Sequence, residues 1–321
     1  MLGRVVVVTC SPRVPPGLLT AQAWDALRRG PVLTADTAHP QLEALRAAGV
    51  HVEVVGPDDL SARAEAGRPT VWLAAEHDPV VRGLGADAQV VQGSYDPPGA
   101  RLLDVVAVMD RLRSPGGCPW DAEQTHTSLM PYLVEEAYEA YQALEDGDLV
   151  DLREELGDVL LQVVFHARLA QEGGKPWDID DVADDLVDKL VRRHPHVFAG
   201  TSADDLEGSW EALKKAEKGR TSVTDGVPLT QPALLLAAKL QKRAARLGLP
   251  SRTATGEGDP GAELWALVAR CRAEGIDPEA ALRTTARAFR DRLAGLEAEL
   301  LAEGTDPASL TPEQWSARWT S

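Results

Sequence analysis

The sequence predicts a mainly α protein that opens with a small α/β segment. Three observations carry this. The first hundred residues alternate short Val-rich runs with helical stretches. Residues 100–220 contain five segments with apolar residues at helical spacing, and residues 232–321 contain helical segments again. The 321 residues are 44% hydrophobic, enough for two or three cores, but only 5% aromatic, so Leu, Val and Ala must build them.

Residues 1–98 supply strand candidates at Val5-Val6-Val7-Val8, Val32-Leu33-Thr34, Val50 to Val55 and Val71 to Ala74. Helices fall between them, at Leu18 to Arg29 with Thr20 as a cap and at Gln41 to Ala48, closed by Gly49. This alternation predicts a small parallel sheet. No GxGxxG or GxxxxGK[ST] loop follows any strand, so nucleotide binding of those kinds is unsupported here.

Asp96-Pro97-Pro98-Gly99 reads as a linker. A helix over about 102–112 follows, then a polar loop holding Cys118-Pro119-Trp120-Asp121 and Gln124-Thr125-His126. The next helix is capped at Thr127 or Ser128 and runs through Glu135, Glu136 and Glu139 to about Leu144. Asp148 opens another, to about Ala170, carrying Glu154, Glu155 and Asp158. Two more span about 180–193 and about 206–218, the latter carrying Trp210, Lys214 and Lys215. Residues 233–321 give helices at about 233–247, 263–274, 278–303 and a short last one opened by Thr311-Pro312-Glu313. They read as a faded repeat of the preceding half from which the paired acids are gone.

The chemistry concentrates in the acids. At about 100° per residue, Glu135, Glu136 and Glu139 fall in one quadrant of their helix, and Glu155 and Asp158 share a face of the next. Like charges at this spacing repel, so a hard cation with oxygen ligands is the simplest compensation. Lys189 and Arg193, four apart, share a face of the helix over about 180–193 and can hold phosphate oxygens. Trp120 is a candidate for stacking on a base, and equally for packing. His126 and His166 lack metal-ligand spacing to the acids and read as core or surface residues. A di-iron carboxylate centre needs Glu-x-x-His on two helices, which is absent.

The charge of -17, from 33 Lys and Arg against 50 Asp and Glu, disfavours a broad basic surface for nucleic acid. Three scattered cysteines without a CxxC pair support neither a disulfide framework nor a zinc site. No stretch approaches the ~20 apolar residues of a membrane span. The expected location is cytoplasmic, with no membrane partner.

Taken together, Cys118-Pro119-Trp120-Asp121, the EExxE of 135–139, the ExxD of 155–158 and Arg192-Arg193-His194-Pro195-His196-Val197-Phe198 resemble the MazG family of nucleoside triphosphate pyrophosphohydrolases. The resemblance covers residues 100–218 strongly and 233–321 faintly. It implies an all-α bundle with a dimeric four-helix core, hence a homodimer. It also implies cleavage of NTP or dNTP to the monophosphate and pyrophosphate, with magnesium, or manganese in its place. Carried onto this chain, it puts the metal ligands at Glu136, Glu139, Glu155 and Asp158. Its substrate contacts fall on Lys189, Arg193 and Trp210, with Lys214 extending the cationic rim. Glu135, outside that set, is the candidate general base. The alternative is a nucleotide-sensing or scaffold protein that keeps the fold. Residues 1–98 also resemble a shortened tetrapyrrole-methylase opening, through Gly17-Leu18-Leu19-Thr20, Ala38-His39-Pro40 and Glu76-His77-Asp78-Pro79, too short to keep a methyl-donor site.

Overall fold

Val-rich runs bounded by turn residues fold as strands because β-branched side chains pack well on a pleated surface. In the computed structural model, which describes residues 5–56, 59, 70–74, 78, 81, 88–200, 222–249 and 258–320, five such runs pair. They are β1 (Val5–Thr9), β2 (Val32–Thr34), β3 (Val52–Val54), β4 (Thr70–Ala74) and β5 (Gln89–Gln92). The sheet is parallel throughout, in the order β3-β2-β4-β1-β5. The edge strand β5 was not expected from the sequence. It is four residues long and begins and ends in Gln, and only Val91 is buried in it.

Helices α1 (Ala21–Arg29) and α2 (Leu42–Ala47) cover one face of the sheet. Thr20 caps α1 by accepting from the Ala23 N–H, as expected. Val8, Leu27, Leu45 and Leu73 fill that interface, while Val7, Leu33 and Trp72 fill the opposite face. Cys10 belongs to the first core, and burial pushes its thiol up to about 11.

The helical part begins with α3 (Arg101–Arg113), α4 (Pro119–Glu123), α5 (Met130–Asp146), α6 (Leu149–Ala170) and α7 (Ile179–Arg193). The segment holding Trp120, expected as loop, forms the short helix α4, with Pro119 at its first position, where a missing N–H costs nothing. The start of α5 also differs from expectation. Leu129 is its N-cap and makes no side-chain cap bond, whereas Ser128 and Thr125 bond each other's N–H groups one turn earlier. Pro195 does not simply end α7 but opens the single turn α8 (Pro195–Phe198).

Met109 on α3, Leu129, and Val164, Phe165 and Leu169 on α6 form the helical core. Ion pairs reinforce the α3–α6 seam: Arg113 with Glu172 at 2.9 Å, and Arg168 with Asp110 at 2.8 Å and Glu172 at 2.9 Å. Arg13, whose side chain is 3% exposed, ties the loop after β1 to Asp96 at 2.9 Å and to Asp104 on α3 at 2.8 Å. Its guanidinium holds the Asp104 carboxyl below the usual range. The sheet and α3–α6 thus belong to one unit, residues 1–192.

Residues 193–321 form the second unit. It contains α9 (Ala233–Ala245), α10 (Pro260–Ala273), α11 (Pro278–Ala302) and α12 (Pro312–Thr320). Asp259 and Asp277 cap α10 and α11. Gln241, fully buried, bridges α9 to α10 by donating to the Trp265 carbonyl and accepting from Arg272. The helix expected over 206–218, with Trp210, Lys214 and Lys215, lies outside the described residues. Among the described residues no helix is long and apolar enough to cross a membrane.

Met109 is 2% exposed at the centre of the helical core. Met109→Ala is expected to cost about 2–5 kcal/mol in unfolding free energy by urea titration, mostly from the cavity it leaves. A loss below ~1 kcal/mol would show that α3 does not anchor α6 through this side chain.

Candidate metal and nucleotide site

The α5–α6 hairpin closes through Gly147, whose φ of 72° is a left-handed conformation that favours glycine. The Gly147 N–H bonds the Leu144 carbonyl. Asp148 then caps α6 by accepting from the Val150 and Asp151 N–H groups, as expected. A turn this tight fixes the register of two antiparallel helices, so acids 19 to 22 residues apart in sequence become neighbours.

Glu136 on α5 meets Glu155 and Asp158 on α6. One carboxylate oxygen from each lies within 4.8 Å of the others, and all three side chains are half-buried. Among the described residues no other group of three potential ligands converges in this way. Burial, then the charges of Asp158 and Glu139, raise the Glu136 carboxyl above its ordinary range. Burial, then Glu139 and Asp151, raise that of Glu155. Every neighbouring charge that shifts these two groups is negative. Glu139 is exposed on α5 and outside the converging trio, yet it hydrogen-bonds Glu136 and acts on Glu155. Glu135 and Glu154 are exposed.

This donor set fits a hard divalent cation. It is all oxygen, it spans two helices, it lacks an internal cation, and its mutual repulsion is relieved by one. Glu136, Glu155 and Asp158 would hold the ion, with Glu139 within electrostatic reach.

The other expected site residues are placed as follows. Lys189 and Arg193 sit one turn apart on α7, both half-buried, whereas Arg192 is exposed. Trp120 is half-exposed and meets Tyr132 of α5 edge-on at 6.0 Å and Phe165 of α6 at 6.5 Å. Trp210 and Lys214 lie outside the described residues. His194 and His196 flank Pro195 with rings 5.7 Å apart.

Two residues that the sequence did not single out as partners meet farther along α6. His126 Nδ1 lies 2.8 Å from His166 Nδ1. Their ring centroids are 5.0 Å apart and the planes differ by 7°. The centroid distance exceeds the nitrogen distance by about two ring radii, so the rings meet edge to edge in one plane. One proton is therefore shared between the two nitrogens. Gln162, four residues from each of Asp158 and His166, is 4% exposed. The i, i+4 spacing of 158, 162 and 166 was readable in the sequence, but the 40-residue pairing of His126 with His166 was not.

Comparison with known proteins bears on the same segment. The MazG nucleotide pyrophosphohydrolase domain matches residues 124–198. The chain is 42% identical over 257 residues to the nucleoside triphosphate pyrophosphohydrolase of Mycobacterium tuberculosis, covering 76% of each protein. It is 38% identical over 245 residues to the nucleoside triphosphate pyrophosphohydrolase/pyrophosphatase MazG of Thermotoga maritima, covering 69% of this chain and 95% of that one. It is 53% identical over 216 residues to an uncharacterized 26.1 kDa protein of Streptomyces cacaoi, covering 66% of this chain and 88% of that one.

Because the folded state raises the carboxyls of Glu136 and Glu155, it favours their protonated forms more than the unfolded chain does. Their contribution to stability is full below the ordinary carboxylate range and is lost as pH rises through the raised values. Without divalent cations, Glu136→Gln is therefore expected to melt above the parent at pH 7, with the gap closing near pH 4. In the parent, added Mg²⁺ should raise the melting temperature, and in Glu136→Gln it should do so much less. Equal cation shifts in both proteins would mean that Glu136 is not a ligand.

Proposed function

The chain belongs to the MazG family, and from that premise we propose that it is a Mg²⁺-dependent nucleoside triphosphate pyrophosphohydrolase that splits NTP or dNTP to the monophosphate and pyrophosphate. The observation that carries the proposal is the convergence of Glu136, Glu155 and Asp158 from two antiparallel helices. A triphosphate brings about four negative charges, which this acidic cluster would repel unless a cation stood between. An all-oxygen set of this size suits Mg²⁺, with Mn²⁺ as the alternative, and Glu139 is the fourth ligand in the proposal. The chemistry supplied by such a cation is neutralisation of phosphate charge and polarisation of the attacking water.

The chain's own residues do the rest. Glu135, exposed beside Glu136 and outside the proposed ligand set of Glu136, Glu139, Glu155 and Asp158, takes the proton from the attacking water. Lys189 and Arg193, one turn apart on α7, hold the outer phosphates, the Arg fork in a bidentate manner. Trp120 offers a half-exposed ring face to the base. Trp210 is assigned a substrate contact through the family resemblance, and Lys214, four positions on in the sequence, extends the cationic rim.

A homodimer is part of the proposal. Leu133, Val134, Tyr138, Leu156 and Val163 on α5 and α6, with Leu186, Val187 and Val191 on α7, are large apolar side chains exposed in the single chain. Burying such a stripe against a second copy removes it from water. The physiological role proposed is house-cleaning of the nucleotide pool, in the cytoplasm. Residues 1–98, 100–220 and 232–321 are proposed as separate domains, with the chemistry in the middle one and scaffolding in the last.

Incubation with each NTP and Mg²⁺, followed by product separation, should yield monophosphate and pyrophosphate. Diphosphate and phosphate, or binding without turnover as a sensor would give, contradict the proposal. Asp158→Ala should lower kcat at least ~10³-fold with helicity retained in the far-ultraviolet spectrum. Lys189→Ala should act mainly by raising KM. A fully active Asp158→Ala would remove that residue from the ligand set.

A further inference from the structure

The α5–α6 hairpin is closed by a turn at one end only. Counting outward from Gly147, Glu136 and Asp158 are each eleven residues away, and His126 and His166 are 21 and 19 away. The histidine contact is therefore a later rung of the same antiparallel ladder, at its open end, with the acids midway between that rung and the turn. His126 lies four residues before α5, and His166 four before the last residue of α6. Their Nδ1 atoms are joined there at 2.8 Å. Trp177, two residues before α7, also meets His126, with ring centroids 6.5 Å apart and planes 20° apart.

We propose that His126 and His166 are positioning residues, a staple that holds the open end of the hairpin against the repulsion of the acids and opens in acid, so that cation affinity between α5 and α6 depends on it. This rests on the cation site proposed above. The proton count decides when the staple opens. Two neutral imidazoles share one Nδ1 proton. A first added proton leaves that bond in place, because an imidazolium still donates to a neutral imidazole, and the charge strengthens the bond. A second makes both Nδ1 atoms donors of like charge, and the bond is lost. His166 Nε2 is buried without a hydrogen-bond partner, so an imidazolium at this position carries an N–H with no acceptor. Burial, then the charge of His126, hold His166 below the usual imidazole range. Among the described residues the charge of His126 is the one that acts on it. Arg168 and Glu172 on and just after α6 are engaged with Asp110 and Arg113 of α3. Glu123, Lys175 and Asp178 are the charged side chains nearest in sequence to His126 and Trp177, and Asp178 is occupied in capping the start of α7. A histidine held below its ordinary value contributes in full above the ordinary range, and the contribution is lost as pH falls through the lowered value. The staple is therefore closed at pH 8 and open in acid.

The test measures Mn²⁺ affinity at pH 8 and pH 5 in the parent, in His126→Asn and in His126→Leu. The Asn amide reaches the place of Nδ1 and donates to a neutral His166 or accepts from a protonated one, so it keeps the staple at both pH values. Leu removes it at both. Protonation of Glu136 and Glu155 weakens binding in all three proteins and cancels when they are compared at one pH. At pH 8 the parent and His126→Asn should agree within about twofold, with His126→Leu about tenfold weaker. At pH 5 the parent should fall to within about twofold of His126→Leu and about tenfold below His126→Asn. A parent and His126→Asn that weaken in parallel overturn the proposal, and so does a His126→Leu that matches the parent at pH 8. If His126→Leu does not fold, the parent against His126→Asn decides alone. A parent that binds no Mn²⁺ at pH 8 overturns the cation site and the staple with it. The expected pattern of Mn²⁺ binding without cleavage of any triphosphate supports the staple and removes only the hydrolytic reading.

Discussion

Three carboxylates held within 4.8 Å, two of them, Glu136 and Glu155, raised by negative neighbours, are the constraint on which the rest of the structure depends. Left alone, α5 and α6 would splay to separate these charges. What keeps them together is apolar packing farther along α6, toward its C-terminal end, where Val164, Phe165 and Leu169 meet Met109 and Leu129. Burial of several large side chains, at about 1.5–3 kcal/mol each, outweighs screened repulsion between half-exposed acids. The Gly147 turn and the Asp148 cap add the register. The stored repulsion then becomes a differential affinity, since a bound cation removes it and proton uptake is the only other relief.

The same logic extends outward from the hairpin. Arg168 and Arg113 clamp α3 to the C-terminal end of α6 through Asp110 and Glu172, and burial of the Arg113 side chain makes that clamp less open to screening than a surface pair. Arg13 continues the chain of contacts into the sheet. The sheet therefore supports the helix pair that carries the acids, while its own side chains are buried on both faces.

Much of this was legible in the residues, for local reasons. The i, i+3 acids, the Asp148 cap and the Thr20 cap depend on a few neighbouring positions, and helical geometry turns their spacing into placement. What depends on distant pairing was not legible. Strand β5 is held by its place beside β1 more than by its own four residues, and α4 forms where Trp120 packs on Tyr132 and Phe165. The Thr125–Ser128 exchange displaced the expected cap because a side chain with two nearby N–H groups serves the earlier turn equally well. Nothing in the sequence marks His126 as the partner of His166. The family match at residues 124–198 carries the identity of the segment, and the geometry supplies what each acid has for company.

The central claim is that one cation binds between α5 and α6 on these three side chains. Crystals grown with Mn²⁺ and a non-hydrolysable triphosphate give the direct measurement, an anomalous difference map. The account predicts a peak between Glu136, Glu155 and Asp158, at about 2.0–2.3 Å from an oxygen of each. A map with no peak there, or with its main peak on the acids of the Glu145–Asp148 turn, would contradict it.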